Sequence, residues 1–160
     1  MDPAQWVASF RVLHEQNKRN ALGPLDKNKY LAMRDELARS LMESSGQELG
    51  AGTIPPRRMV KVAQLFNIEL SNIYKTMTRE LSCQGFTTLV QGNFREGDRT
   101  AFILSVGRTV DPVQGDAIVK SAQKQAGNTT RLVCEFTGLK EPALERIEEA
   151  VFDAALMRIK

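Results

Sequence analysis

Residues 60–71 read VKVAQLFNIELS, and apolar side chains alternate with polar ones along most of this stretch. Polar residues such as Lys61 and Glu69 stand between the apolar ones. The apolar positions are Val60, Val62, Phe66, Ile68 and Leu70. Because successive side chains of an extended chain point to opposite faces, this alternation predicts a half-buried β-strand.

Five segments further along the chain also have the length and composition of short strands. They are residues 73–81, 85–91, 99–106, 116–124 and 129–137. Turn-forming residues such as Asn72, Gly92 and Gly115 separate them. Six short strands at this spacing predict a small antiparallel β-barrel, since closing the sheet leaves no exposed edge. The predicted fold class is therefore mainly β.

Helical patterns flank the predicted barrel. Residues 1–43 have apolar positions at helical spacing and a break at Gly23-Pro24, which predicts a hairpin of two helices. Asp2 is expected to cap the first helix, with Pro3 at its first position.

The rest of the chain outside the strands divides into a linker and a last helix. Residues 44–56, SSGQELGAGTIPP, are rich in turn-forming residues and form the predicted linker. Glu141-Pro142 opens a C-terminal helix that is expected to plug or flank the barrel. The predicted organisation is a helical hairpin at 1–43, a linker at 44–56 and a barrel with its C-terminal helix at 57–160.

The inventory of reactive side chains argues against catalysis. The chain has one histidine, His14, and two cysteines, Cys83 and Cys134, which are too few and too separated for a metal site or a disulfide framework. No nucleophile elbow, phosphate loop or paired-carboxylate pattern occurs. We therefore expect neither catalytic nor metal-binding residues, no cofactor and no enzymatic activity, with His14 in a surface or packing role and both cysteines buried.

The hydrophobic segments are short. Residues 1–10 lack a basic start followed by an unbroken apolar run, and no stretch is long enough to cross a bilayer. This pattern predicts a cytoplasmic protein without membrane insertion.

The formal net charge of +3 is concentrated in one region. Residues 55–80 hold five basic and two acidic side chains, whereas the charges on either side of this region balance. A local excess of this kind favours a small anionic ligand. The basic side chains are Arg57, Arg58, Lys61, Lys75 and Arg79.

Two short pieces of sequence carry a further signal. The first, Arg57-Arg58-Met59-Val60-Lys61, lies where the linker meets the first strand, and the second, Glu80-Leu81-Ser82-Cys83-Gln84-Gly85, joins the next two strands. Their order and spacing resemble the PilZ family of cyclic di-GMP receptors. That family carries Arg-x-x-x-Arg before its first strand and Asp/Asn-x-Ser-x-x-Gly about one hairpin later. The resemblance covers about residues 57–155 and implies a six-stranded antiparallel PilZ-like β-barrel.

The resemblance also implies a ligand site. Arg57 and Lys61 would occupy the two arginine positions, with Arg58 as an additional donor to phosphate or guanine. Ser82 would offer its hydroxyl, and Gly85 would leave room for the ligand or adopt a positive φ in a turn. Cyclic di-GMP would act as a regulatory ligand that orders residues 53–61.

Two of the four motif positions differ from the family pattern. Lys61 keeps the charge of arginine without its planar fork, and Glu80 carries its carboxylate one methylene further out than Asp. Each lost bidentate contact weakens binding by about tenfold to a hundredfold. The sequence therefore predicts cyclic di-GMP binding that is weakened or lost.

Purely structural interpretations of the same residues stay open. The basic cluster would then be a solvated linker, Ser82 and Gly85 would shape a hairpin, and Glu80 would pair with Arg79 or Lys75. The leading functional interpretation is a non-enzymatic regulator or adaptor of bacterial motility or surface polysaccharide. It would act through a protein effector, and its N-terminal helices would supply either a homodimer contact or a docking face for the effector.

Two other interpretations remain. One is a ligand-independent interaction scaffold of the same fold. The other is a barrel that binds single-stranded nucleic acid, which is disfavoured because the strands carry few aromatic residues on which bases can stack.

Overall fold

The computed structural model describes residues 2–48, 52–107 and 111–159. The chain divides into two compact units, one comprising Met1–Val60 with Arg158–Lys160 and the other Lys61–Met157. The elements in chain order are α1 (Pro3–Lys18), α2 (Pro24–Ser45), β1 (Asn67–Leu70), β2 (Tyr74–Leu81), β3 (Gly85–Val90), β4 (Arg99–Ser105), β5 (Val113–Lys124), β6 (Thr130–Thr137) and α3 (Glu141–Met157). Short 3₁₀ turns lie at Pro56–Arg58 and Ala126–Asn128.

The first unit contains the predicted pair of helices. The Asp2 carboxylate accepts the backbone N–H of Gln5 at 2.9 Å, which confirms the predicted cap of α1. The second helix runs two residues into the predicted linker, because the chain continues as helix until Gly46 takes a left-handed φ of 76°. Residues 49–51 of the linker lie outside the described residues.

A buried polar cluster lies between α1 and α2. Phe10, His14 and Tyr30 are all at most 1% exposed, and their rings pack within 5.4–5.9 Å of one another. His14 Nδ1 is hydrogen-bonded to the Tyr30 hydroxyl, and Arg34 Nε donates to the same oxygen at 2.7 Å. His14 therefore has the packing role that the sequence left open.

The second unit is a closed antiparallel barrel with strand order β1-β2-β3-β6-β5-β4. The predicted six-stranded architecture is confirmed. Alternate residues of each strand point inwards, and the rings of Phe86, Phe102 and Phe136 meet there with centroids 4.9–6.1 Å apart. Both predicted thiols are buried, Cys83 at the β2–β3 turn and Cys134 in β6.

The strand predicted from residues 60–70 is wrong over its first half, since β1 contains only Asn67–Leu70. The Thr78 side chain of β2 supplies the missing ladder contacts, because its hydroxyl accepts the Phe66 N–H at 2.9 Å and donates to the Gln64 carbonyl at 2.8 Å. Val62 then pairs with Leu81 as an isolated bridge. Residues 62–66 thus follow β2 without forming a regular strand beside it.

The end of the second unit is the predicted C-terminal helix. The Cys83 thiol donates to the Leu144 carbonyl of α3 at 3.6 Å, so α3 flanks the barrel beside the β2–β3 turn.

The fifth strand begins at Val113, three residues earlier than predicted, because Val113 continues the ladder by pairing with Leu104. Among the described residues, no helix has both the length and the apolarity required to cross a membrane.

Candidate ligand-binding site

The β2–β3 hairpin contains three of the six predicted site residues. Ser82 is 3% exposed, and its backbone N–H donates to the Gly85 carbonyl at 3.0 Å. Its hydroxyl oxygen accepts the Gln84 N–H at 3.1 Å. These two bonds close the turn from inside, so Ser82 has a structural role whether or not a ligand is bound.

The space around Gly85 is occupied by the neighbouring strand β6. A β-carbon at this position would lie 1.9 Å from the Cys134 carbonyl oxygen, a distance that no side chain can adopt. Gly85 does not have a positive φ, so the suggestion of a left-handed turn residue is wrong. A glycine is required here because the β3 and β6 backbones approach each other too closely for a side chain.

Glu80 lies in β2 just before the turn. It pairs with Thr87 of β3, and the register shifts between Thr78 and Glu80, which leaves Arg79 as the extra residue of a bulge. Lys75, which the sequence suggested as a partner of Glu80, stands opposite Glu69 of β1 instead. The bulge re-aims the last residues of β2 relative to the rest of the strand.

The bridge between Val62 and Leu81 brings the fourth site residue to this hairpin. Each of these two residues donates its N–H to the carbonyl of the other at 2.9 Å. Because the pairing is antiparallel, the exposed Lys61 stands directly across from Ser82. Lys61, Glu80, Ser82 and Gly85 are thus gathered at one place on the barrel.

Arg57 and Arg58 belong to the first unit, where they form the end of the Pro56–Arg58 turn. The Arg57 side chain donates from Nη1 to Asp35 Oδ2 at 2.7 Å, and its backbone N–H donates to Asp35 Oδ1 at 3.1 Å. Both side chains of this ion pair are only about a fifth exposed, 22% for Arg57 and 20% for Asp35. The interpretation of Arg57 as part of a solvated linker does not hold.

Sequence reasoning missed the residues that hold the basic segment. Asp35 is one of several charged residues on α2, and nothing in the pattern distinguishes it from the exposed Glu36. Gln47, whose side-chain amide donates to the Met59 carbonyl at 2.7 Å, lies in the predicted linker. Only the return of the chain onto α2 identifies either residue.

A separate groove of about 370 Å³ lies on the outer face of β1, β2 and β4. The residues around it are Asn67, Ile68, Glu69, Lys75, Thr76, Met77, Ile103 and Ser105. None of the six predicted site residues is among them. The groove therefore contributes nothing to the predicted cyclic di-GMP site.

Several solved structures align with this chain at low sequence identity. The inhibitor of motility MotI/DgrA from Bacillus subtilis aligns with a TM-score of 0.55 and 10% identity, covering 61% of this chain and 50% of that protein. The PilZ domain of YcgR from Escherichia coli, solved with c-di-GMP, aligns with a TM-score of 0.49 and 16% identity, covering 59% of this chain and 88% of that domain. A tetrameric PilZ protein from Xanthomonas campestris, self-assembled through a helical bundle, aligns with a TM-score of 0.45 and 14% identity, covering 99% and 82%.

No family model matches the sequence, and the search of curated proteins also finds no match. The chain spans half the length of MotI/DgrA. The structural evidence is thus the closed six-stranded barrel, the helix that follows it and the fold shared with MotI/DgrA. Together these observations show that the chain has a PilZ-like β-barrel fold.

Proposed function

We propose that this protein is a non-enzymatic PilZ-type regulator whose barrel responds to cyclic di-GMP. The observation that carries the proposal is the Val62–Leu81 bridge, which holds Lys61 across from the Glu80–Gly85 hairpin. A cation, a carboxylate and a tight backbone turn at one place can contact the phosphate and the guanine edge of one ligand.

The chemistry of the hairpin assigns a role to each group. The Lys61 ammonium attracts a phosphate as a point charge. The Glu80 carboxylate would accept hydrogen bonds from the guanine N–H groups. The Ser82 hydroxyl, which accepts one bond within the turn, would donate its proton to the ligand. Arg57 and Arg58 join the site by the family resemblance alone.

The same residues predict modest affinity. Lys61 lacks the bidentate fork of arginine, and Glu80 is longer than the Asp or Asn of the family motif. We therefore expect binding that is weaker by about tenfold or more than in a receptor with the full motif.

The proposed physiological role is control of another protein in the cytoplasm. Motility and surface polysaccharide are the candidate processes, and the fold shared with an inhibitor of motility supports the first. The N-terminal helices would form the contact with a second copy or with the effector.

Isothermal titration with cyclic di-GMP tests the proposal. We expect saturable heat in the wild-type protein. In Lys61→Ala we expect either no saturable heat or an affinity at least about tenfold weaker, because the phosphate loses its cation. Lys124→Ala is the matched control, since Lys124 is exposed at the far end of β5. Equal binding by both variants would exclude Lys61 from the site.

The ligand-independent scaffold remains the second candidate, and one observation favours it. The Ser82 hydroxyl closes the turn and Gly85 makes room for β6, so neither residue requires a ligand to explain its presence. No heat at high cyclic di-GMP concentration would select the scaffold.

Binding of single-stranded nucleic acid has less support. Phe86 and Phe102 are buried in the barrel, and Phe94 packs edge-on against Tyr74, which leaves few rings for bases to stack on. Tight, steeply salt-dependent binding of an oligonucleotide would reverse this order of preference.

A further inference from the structure

We infer that Asp35 of α2 is an autoinhibitory clamp on Arg57, which an anionic ligand must displace before Arg57 can bind it. The inference rests on the proposed function, because it assigns the same arginine to a cyclic dinucleotide. It adds a residue, Asp35, that lies outside the family motif and within the N-terminal helical unit.

The contact has the geometry of a specific clamp. Asp35 uses both carboxylate oxygens, one on the Arg57 guanidinium at 2.7 Å and the other on the Arg57 backbone N–H at 3.1 Å. Charge-assisted bonds of this length are among the stronger ones in proteins. Since four-fifths of each side chain is covered, salt screens this pair less than a surface ion pair.

A second attachment follows within the same segment. Gln47 donates to the Met59 carbonyl at 2.7 Å, and the side chains of Met59 and Val60 are 8% and 1% exposed. The basic segment therefore already has a defined conformation within the helical unit. The expectation that a ligand orders a free loop at residues 53–61 gives way to an exchange of partners.

The exchange has a thermodynamic consequence. While Nη1 of Arg57 is bonded to Asp35, the guanidinium cannot present its full planar fork to a phosphate or a guanine. Only molecules in which Arg57 is released from Asp35 can bind the ligand with this fork. The apparent dissociation constant is therefore the intrinsic one divided by the fraction of such molecules. Removing the Asp35 charge should raise the fraction and strengthen binding.

The first measurement needs no ligand. Trypsin cleaves after Arg57 and Arg58, and mass spectrometry follows the cut at these positions over time. We expect cleavage about two- to fivefold faster in Asp35→Asn, the range that corresponds to the loss of one side-chain ion pair. Glu36→Gln is the matched control, because it changes the net charge equally from an exposed neighbouring position on α2. Cleavage of Asp35→Asn at the wild-type rate would overturn the inference.

The second measurement is titration with cyclic di-GMP. We expect Asp35→Asn to bind about two- to fivefold more tightly than the wild type, and Glu36→Gln to bind as the wild type does. Faster cleavage without tighter binding would overturn the autoinhibitory role. Absence of binding in every variant would instead refute the proposed function, while the cleavage rates would still report the clamp.

A third variant guards against a change in folding. Asp35→Glu restores the carboxylate, so its cleavage rate and affinity should return towards those of the wild type if charge is the cause. A thermal melt followed by circular dichroism checks that all variants keep their helices. If Asp35→Glu behaves like Asp35→Asn, the effect does not come from the ion pair and the inference fails.

Discussion

The two halves of the predicted ligand motif are held by different kinds of force. The hairpin from Glu80 to Gly85 is shaped by backbone bonds and by the close approach of β3 to β6. The segment from Arg57 to Val60 is held by two side chains of the helical unit, Asp35 and Gln47. Backbone packing cannot be changed without unfolding the barrel, whereas a side-chain ion pair can exchange one anion for another. The hairpin is therefore the fixed part of the motif and the basic segment the adjustable part.

The largest effect should come from adding one methyl group to the fixed part. Gly85→Ala would place its β-carbon 1.9 Å from the Cys134 carbonyl oxygen, so a backbone must move. We expect a loss of at least about 3 kcal/mol in the free energy of unfolding, measured by urea denaturation. Gly52→Ala is the control, because no heavy atom beyond its two chain neighbours lies within 4 Å of the added carbon. A small loss in the free energy of unfolding would mean that β3 can shift, and that the hairpin is not the fixed part of the motif.

An intermediate effect should appear in the pH dependence of the barrel. Burial raises the pKa of the Cys134 thiol from 9.0 to about 12. Between these two values the unfolded chain releases a proton that the folded protein keeps, so stability falls as pH rises. Relative to Cys134→Ala, the wild-type free energy of unfolding should drop by about 1.4 kcal/mol between pH 8 and pH 10.

The measurement is a series of urea denaturation curves for both proteins across this pH range. Comparison with the variant removes the contribution of the tyrosines and lysines that titrate in the same interval. A wild-type curve parallel to that of the variant would show that solvent reaches the thiol, and hence that the β3–β6 contact is looser than the structure indicates.

The smallest effect should come from the boundary between the two halves. Lys61→Arg restores the second arginine of the family motif on the residue opposite Ser82. We expect cyclic di-GMP affinity to rise by up to about tenfold, since a bidentate contact replaces a point charge. Titration beside Lys124→Arg, a control at the far end of β5, measures it. Unchanged affinity in both variants would place the second arginine position elsewhere.

The elements that local patterns predict are the ones that local forces stabilise. Asp2 and Pro3 predict the start of α1, and the turn residues between strands predict the hairpins. Both predictions succeed because capping and turn geometry act within a few residues. The first strand was predicted too long because alternation is a property of side chains, whereas a strand also needs a partner. Before Asn67, the Thr78 hydroxyl bonds to the backbone in place of a partner strand, and no local sequence pattern predicts these side-chain bonds.

The candidate site divides in the same manner. The positions of Glu80, Ser82 and Gly85 in a hairpin follow from the order of the strands, and their motif suggested a PilZ-like barrel. The reason for Gly85 could not be predicted, since its neighbour Cys134 is 49 positions away in the sequence. The clamp on Arg57 could not be predicted either, because Asp35 is 22 residues distant and resembles other acidic residues of α2.

By itself, the sequence determined the mainly β class, the six short strands, the helices at both ends and the location of the basic excess. These features depend on periodicity, composition and turn chemistry, which act over a few neighbouring residues. Only the tertiary structure decided that Lys61 stands beside the hairpin, that the β6 backbone leaves no room for a side chain at Gly85 and that Arg57 is paired with Asp35. Each of these contacts joins residues that are far apart in the chain, and their energy exists only once the backbone has folded to bring them together.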